Sequence, residues 1–191
     1  MCCDTKMKIA ATVRELLQTR PITKITVQDV MQRADMTRQS FYYHFQDIYD
    51  VLEWDVSREF REKLVYRSDQ PFECWCRDVI IRMKDNQSLY RKMAEALGRG
   101  KLQELSLPYT RPQMERLLYG TVVEEDLLSA DEQIALDFAS RTLVDSFLTL
   151  MFSHNKIDTD ACIHNICAIV NILQGRDECH AHTVKRRVAA C

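Results

Sequence analysis

Two helix starts of one design stand in close succession near the N-terminus, and they restrict the fold more than any other stretch of the chain. In "ITVQDV" Thr26 fits an N-cap with Asp29 three residues on, while Ile25 and Val30 occupy the two positions of a hydrophobic staple. In "DMTRQSFYYHF" the design returns, with Thr37 as N-cap, Met36 and Phe41 as the staple, and Phe41 and Phe45 one turn apart. The first of these helices is predicted over about residues 27–33, with Val27, Val30, Met31 and Ala34 turned inward. Ahead of it Ile9, Val13, Leu16 and Leu17 share one face of an earlier helix, which stops where Pro21 pushes Arg20 out of helical geometry.

Two short capped helices joined by a three- to four-residue break have the grammar of a helix-turn-helix. In such a unit an apolar face pins the second helix so that the opposite face can enter a DNA major groove. Phe41 and Phe45 supply the pinned side, Arg38, Gln39 and Ser40 crowd the first turn, and Tyr42, Tyr43 and His44 complete the outward faces.

Downstream, Asp47 fits the cap of a long helix, with Ile48, Leu52, Val56, Phe60 and Leu64 in one i, i+4 stripe. Apolar positions then recur at helical spacing through Phe72, Trp75, Val79, Ile80 and Met83, and through Leu89, Met93 and Leu97 to a stop at Gly98. Pro108 and Pro112 argue against one continuous helix between residues 100 and 112. Ser129 with Glu132 opens a helix predicted over about 130–151, and a last one spans about 160–173, ending near Gly175. Both are apolar nearly all round, as Ile134, Leu136, Phe138, Leu143 and Phe147 in the first and Ile163, Ile166, Ile169, Ile172 and Leu173 in the second show. Either central burial or a second copy of the chain would account for that, and a homodimer through these two helices is the preferred reading.

Composition agrees with an all-α chain of 191 residues: four glycines and four prolines are too few for a turn-rich sheet protein. A net charge of -2 denies any global attraction to nucleic acid, so basic charge at a DNA surface would have to be local. Even residues 1–50 hold only seven Lys/Arg against six Asp/Glu. No apolar run approaches a membrane span, and the charged N-terminus is unlike a signal peptide, so the expected location is the cytoplasm, with no membrane partner. The eight cysteines, at 2, 3, 74, 76, 162, 167, 179 and 191, read as reduced thiols. "CWC" at 74–76 and "CHAH" at 179–182 suggest a metal or thiol sensor, but Cys74 and Cys76 would point to opposite sides of a helix, so no metal ligand and no cofactor is assigned. Neither a phosphate-binding glycine loop nor a nucleophile with an evident base is present, which excludes the familiar enzyme classes.

Residues 25–52, "ITVQDVMQRADMTRQSFYYHFQDIYDVL", resemble the DNA-binding region of TetR-type transcriptional regulators, and "FYYHFQDIYDVLEWDVSREF" is similar to the branch containing activators of dihydroxyacetone kinase genes. The resemblance implies a three-helix helix-turn-helix domain over residues 1–48 and a larger helical effector-binding and dimerisation domain over 49–191. It implies operator DNA as partner, an unidentified small-molecule effector, and repression as the commoner outcome. It places Thr26, Thr37, Tyr42, Tyr43 and His44 at phosphates and Arg38, Gln39 and Ser40 at base edges, where arginine pairs with guanine and glutamine with adenine. Phe72, Trp75, Tyr90, Met93, Phe138 and Phe147 are candidates for an effector pocket, with plain core packing as the alternative for each. Two departures, Asp35 at a turn position that is usually glycine and Ile48 where lysine is frequent, leave open a co-regulator that works through a protein partner instead of DNA.

Overall fold

The computed structural model describes residues 2–67, 69–153 and 157–176, and among these the regular structure is entirely helical. Helix α1 (Cys2–Thr19) is followed by a 3₁₀ turn at Ile22–Lys24, then by α2 (Val27–Ala34), α3 (Arg38–His44) and α4 (Ile48–Lys63). Five more follow: α5 (Phe72–Asp85), α6 (Gln87–Leu97), α7 (Arg99–Tyr119), α8 (Ala130–Phe152) and α9 (Thr159–Arg176). No helix among the described residues is long and apolar enough to cross a membrane.

The local signals operate as their chemistry requires. Thr26 and Asp29 form a reciprocal capping box: the Thr26 hydroxyl accepts the Asp29 N–H, and the Asp29 carboxylate accepts the Thr26 N–H at 2.9 Å. Thr37 caps α3 by accepting the Ser40 N–H, Asp47 caps α4 by accepting the Asp50 N–H, and Ser129 and Glu132 repeat the full box at α8. Gly98, at φ 79°, ends α6 and lets α7 begin at once in a new direction.

Helix α7 departs from the sequence expectation, since it runs unbroken through both Pro108 and Pro112. Each proline removes one backbone hydrogen bond, but the carbonyls left over belong to Glu104 and Pro108, both exposed to water. The opposite face, with Leu102, Ser106, Thr110, Gln113 and Met114, is buried against the rest of the bundle. There the Ser106 hydroxyl donates to the Leu102 carbonyl at 2.7 Å and the Thr110 hydroxyl to the Ser106 carbonyl at 3.0 Å. Tertiary burial of that face outweighs two solvent-side losses.

Two apolar cores meet in the molecule. One joins α1 to α4 with Leu89, Met93 and Ala94 of α6, Leu102 of α7, and Val144 and Leu148 of α8. The other holds Trp75, Cys76, Val79 and Ile80 of α5 against Leu136 and Ala139 of α8 and Ile163 and Ile166 of α9. The side chains of Ile169, Ile172 and Leu173 lie outside the described residues.

Polar groups bind the N-terminal helices to the body. Lys92 of α6 donates to the carbonyls of Leu17 and Gln18 at 3.0 and 2.9 Å, closing the C-terminal end of α1, where carbonyls lack helical partners. Arg14 of α1 donates Nε to Asp55 and NH2 to Glu59, the latter at 2.7 Å, and both carboxylates are almost fully buried on α4. The second oxygen of Asp55 accepts from Arg58 at 2.9 Å. Burial by itself would push the Glu59 carboxyl up, but Arg14, the Tyr90 hydroxyl and Lys63 outweigh it and hold Glu59 below its ordinary value.

Two outcomes follow. Arg14→Met leaves two buried carboxylates without their shared counter-charge and should destabilise the protein by about 3–5 kcal/mol in urea unfolding at neutral pH. Because the folded-state pKa of Glu59 is depressed, its contribution is complete above the ordinary glutamate value of 4.5 and is lost as pH falls below it through the folded value. Unfolding free energy measured over that acidic window should therefore drop less steeply for Glu59→Gln than for the wild type.

Candidate nucleic-acid interface

Helix α3 presents its residues in three orientations. Phe41 is fully buried, with ring contacts to Tyr42 at 5.5 Å and to Phe45 at 6.0 Å. Phe45 lies against Trp54 of α4 at 5.9 Å, and the Lys6 ammonium sits 5.3 Å from the Phe45 ring and 5.8 Å from Trp54. This aromatic seat fixes the roll of α3 about its axis. Arg38, Gln39, Tyr42 and Tyr43 then face solvent, with Tyr42 61% and Tyr43 81% exposed. Ser40 and His44 lie one turn apart on the flank and are half-buried, with the His44 ring edge-on to Tyr43 at 4.8 Å.

Of the eight residues chosen from the sequence, seven lie on α3 or cap it, and Thr26 lies at the start of α2. The Thr26 hydroxyl is engaged in its capping box, donating to Asp29 at 2.7 Å. Thr37 is exposed and uses its oxygen as an acceptor for the cap, so its O–H proton is directed to no partner among the described residues. Arg38 does not extend freely: its NH2 donates to Gln28 Oε1 of α2 at 2.6 Å. Gln28, exposed at the first turn of α2, therefore belongs to this surface although nothing in the sequence singled it out. Its only signal was position, two residues past the Thr26 cap.

Asp35 adopts the left-handed conformation, φ 52° and ψ 56°, at the turn between α2 and α3. The turn therefore keeps the backbone geometry that glycine would ordinarily supply, at the cost of a carboxylate beside the exposed face of α3. Ile48 is buried in the core, so the start of α4 offers no side-chain cation at that position.

Behind the helix-turn-helix a cavity of about 80 Å³ lies between α4, α5, α6, α7 and α8. Its wall is mainly apolar, with Phe60 of α4, Leu64 just past the end of α4, Met83 of α5 and Leu148 of α8, and its lining residues also include Glu59, Arg82, Tyr90 and Gln113. Three of the six pocket candidates, Trp75, Tyr90 and Phe147, line it. Phe72 stacks on Trp75 outside the wall, Met93 is core, and Phe138 is 66% exposed on α8. The Trp75 indole N–H is buried with no hydrogen-bond partner among the described residues. Glu59, Gln113 and Tyr109 escaped the sequence reading because a polar residue on a long helix ordinarily reads as surface.

Cys74 is exposed and Cys76 buried, on opposite sides of α5 as helical geometry requires. Cys76 contacts Cys167 of α9, and burial pushes its thiol far up, away from the reactive thiolate. Cys179 and the "CHAH" stretch lie outside the described residues.

A capped helix-turn-helix seated on a larger helical bundle defines the class as an all-helical helix-turn-helix protein. Residues 9–53 match the family model described as "Bacterial regulatory proteins, tetR family". Over 92 residues the chain is 30% identical to the HTH-type dhaKLM operon transcriptional activator DhaS of Lactococcus lactis subsp. lactis (strain IL1403), a match covering 47% of this chain and 48% of that protein. The match thus spans about half the length of this curated relative. Among solved structures, the dihydroxyacetone kinase operon activator DhaS superposes with a TM-score of 0.62 at 19% identity, over 90% of this chain and 95% of the other. The TetR family repressor AlkX from Dietzia sp. Strain DQ12-45-1b superposes with a TM-score of 0.60 at 15% identity, over 88% and 97%. These two likenesses establish the fold. Residues 9–53 therefore carry the DNA-binding region described by the tetR family model, on a chain that shares the fold of TetR-type regulators.

The turn residue provides a local check. Asp35→Ala should destabilise the protein by about 1 kcal/mol because alanine tolerates positive φ poorly, whereas Asp35→Gly should not, as read by thermal or urea denaturation.

Proposed function

We propose that the chain is a cytoplasmic regulator that binds operator DNA as a homodimer and acts as a repressor released when a small molecule enters the cavity behind α4. The observation that carries this reading is the seating of α3: with Phe41 and Phe45 locked inward, Arg38, Gln39, Tyr42 and Tyr43 form one exposed polar face of the size a major groove admits. In the bound state Arg38 would exchange Gln28 for a base edge, with Gln39 and Ser40 beside it. Thr26, Thr37, Tyr42, Tyr43 and His44 would meet phosphates on either side. On this reading residues 1–48 form the DNA-binding unit and 49–191 the sensing and dimerising unit.

Dimerisation is supported by α8, where Ile134 is 68% and Phe138 66% exposed, an arrangement that favours a second apolar surface over water. A symmetric pairing through α8 and α9 would space two recognition helices for a palindromic site. Occupancy of the cavity would act on the C-terminal half of α4, whose N-terminal residues Ile48, Val51 and Leu52 belong to the same core as Phe41 and Phe45. Moving α4 then alters the spacing of the two α3 helices, and the effector and DNA affect each other's affinity reciprocally. A second reading, activation, is favoured by the relative whose name is that of a transcriptional activator and whose match spans about half its length.

Fluorescence-anisotropy titration with promoter DNA tests the central reading. Specific affinity should fall log-linearly with salt. Arg38→Ala should reduce specific binding by about 1–3 kcal/mol and leave non-specific binding nearly unchanged. Saturable binding to a protein partner with no salt-dependent DNA affinity would end the proposal in favour of a co-regulator. Phe138→Glu should yield monomers in sedimentation and lose most operator affinity with α3 unaltered.

A further inference from the structure

Glu59 stands where the cavity meets the N-terminal helices. The residue lines the cavity, and both carboxylate oxygens are engaged: Oε2 accepts from Arg14 of α1 at 2.7 Å, and Oε1 accepts the Tyr90 hydroxyl at 2.7 Å with Lys63 Nζ at 3.7 Å. Among the described residues it is the one wall side chain that bonds to α1. Its two close partners are unequally held. Arg14 is also held by Asp55, whereas the Tyr90 hydroxyl donates to Glu59 alone among the described residues. Tyr90 is thus the partner that a molecule in the cavity can replace.

The chemistry of the wall restricts what that molecule can be. Most of the lining is hydrocarbon or aromatic, so a ligand must be apolar over most of its surface. Arg82 also lines the cavity, but an anionic group set where the Tyr90 hydroxyl stands would meet the Glu59 carboxylate with no proton to give it, in a medium that screens poorly. A molecule with no donor cannot displace the tyrosine hydroxyl from Glu59 without leaving that acceptor short of a hydrogen bond. A cation would share the wall with Arg82 and lose its hydration in an apolar space, so an uncharged molecule with one O–H or N–H group satisfies all these conditions.

The same junction leads to the recognition helix. Arg14 and Arg58 share Asp55, the Arg58 guanidinium lies 5.5 Å from the Trp54 ring, and Trp54 packs on Phe45 at the end of α3. A shift of Glu59 therefore changes the charge balance around Arg14 in the layer that seats α1 and α3 on α4.

We infer that Glu59 is the residue through which cavity occupancy is read: the effector is an uncharged, mainly apolar molecule carrying one hydrogen-bond donor, which replaces the Tyr90 hydroxyl on Glu59 and loosens the hold of Glu59 on Arg14 of α1. This rests on the effector reading of the cavity. The experiment uses the full chain and three four-carbon probes of one shape, butan-1-ol, 1-chlorobutane and butyrate, chosen because the cavity is small. Ligand titration followed by NMR measures affinity, and amide hydrogen exchange over residues 9–17 measures the response of α1. In Tyr90→Phe, where no hydroxyl has to be displaced, butan-1-ol should bind roughly tenfold or more tightly than 1-chlorobutane, as a hydrogen bond to a charged acceptor requires; the wild type should keep the same order of preference, and butyrate should bind neither protein. Tyr90→Phe, which removes the competing hydroxyl, should strengthen butan-1-ol binding, and Glu59→Leu should abolish the preference for the alcohol. Butan-1-ol should also speed exchange in α1. Equal affinity for the alcohol and the chloride, or alcohol binding with α1 exchange unchanged, would overturn the inference and leave the cavity as an effector site. Failure of all three probes to bind would overturn both.

Discussion

Two carboxylates that have almost no access to water, Asp55 and Glu59, lie one turn apart on α4, and the position of α1 follows from the need to neutralise them. A buried carboxylate without a counter-charge is costly enough that the chain must bring a cation to it or leave it exposed. Arg14 answers both at once from α1, Arg58 answers Asp55 from within α4, and Tyr90 completes Glu59 from α6. The cluster adds directional constraints where apolar contact alone would allow sliding. The helix-turn-helix is therefore attached to the body by charges of fixed geometry as well as by a shared apolar core.

This arrangement separates two functions that the aromatic residues of α3 might otherwise confuse. Phe41 and Phe45 are structural, and their seat against Trp54 fixes which residues of α3 can leave the protein surface. Tyr42 and Tyr43 follow from that roll, since in a helix with positions 41 and 45 buried, positions 38, 39, 42 and 43 face outward. The adjacent rings of "FYYHF" are thus an inward pair and an outward pair. Arg38, tied to Gln28 across the turn, shows that the outward surface is also ordered by α2.

Much of the fold was legible because its signals are short-range. The caps at Thr26, Thr37, Asp47 and Ser129 each involve a hydrogen bond to a residue three positions away, and the stripes on α1 and α4 repeat every three or four residues. The break at Gly98 and the left-handed Asp35 are similarly local. Helix α7 departs from its local signals for a related reason: proline carries a strong local penalty, and only the packing of Leu102, Ser106, Thr110, Gln113 and Met114 against neighbouring helices shows that it is overridden. Phe138, which reads as a core or pocket aromatic, is instead on the surface, because which arc of α8 is covered depends on where α7 and α9 lie.

The sequence by itself determined the helical class, the order of the elements and the face of α3 that meets solvent, since these depend on hydrogen bonds and side-chain periodicities that close within one or two turns. Only the tertiary structure decided the cavity, the exposure of α8 and the Arg14–Asp55–Glu59–Tyr90 cluster. The partners of that cluster stand 31 to 45 residues apart, and their pairing reflects the electrostatic cost of burial, which exists only once the helices have met.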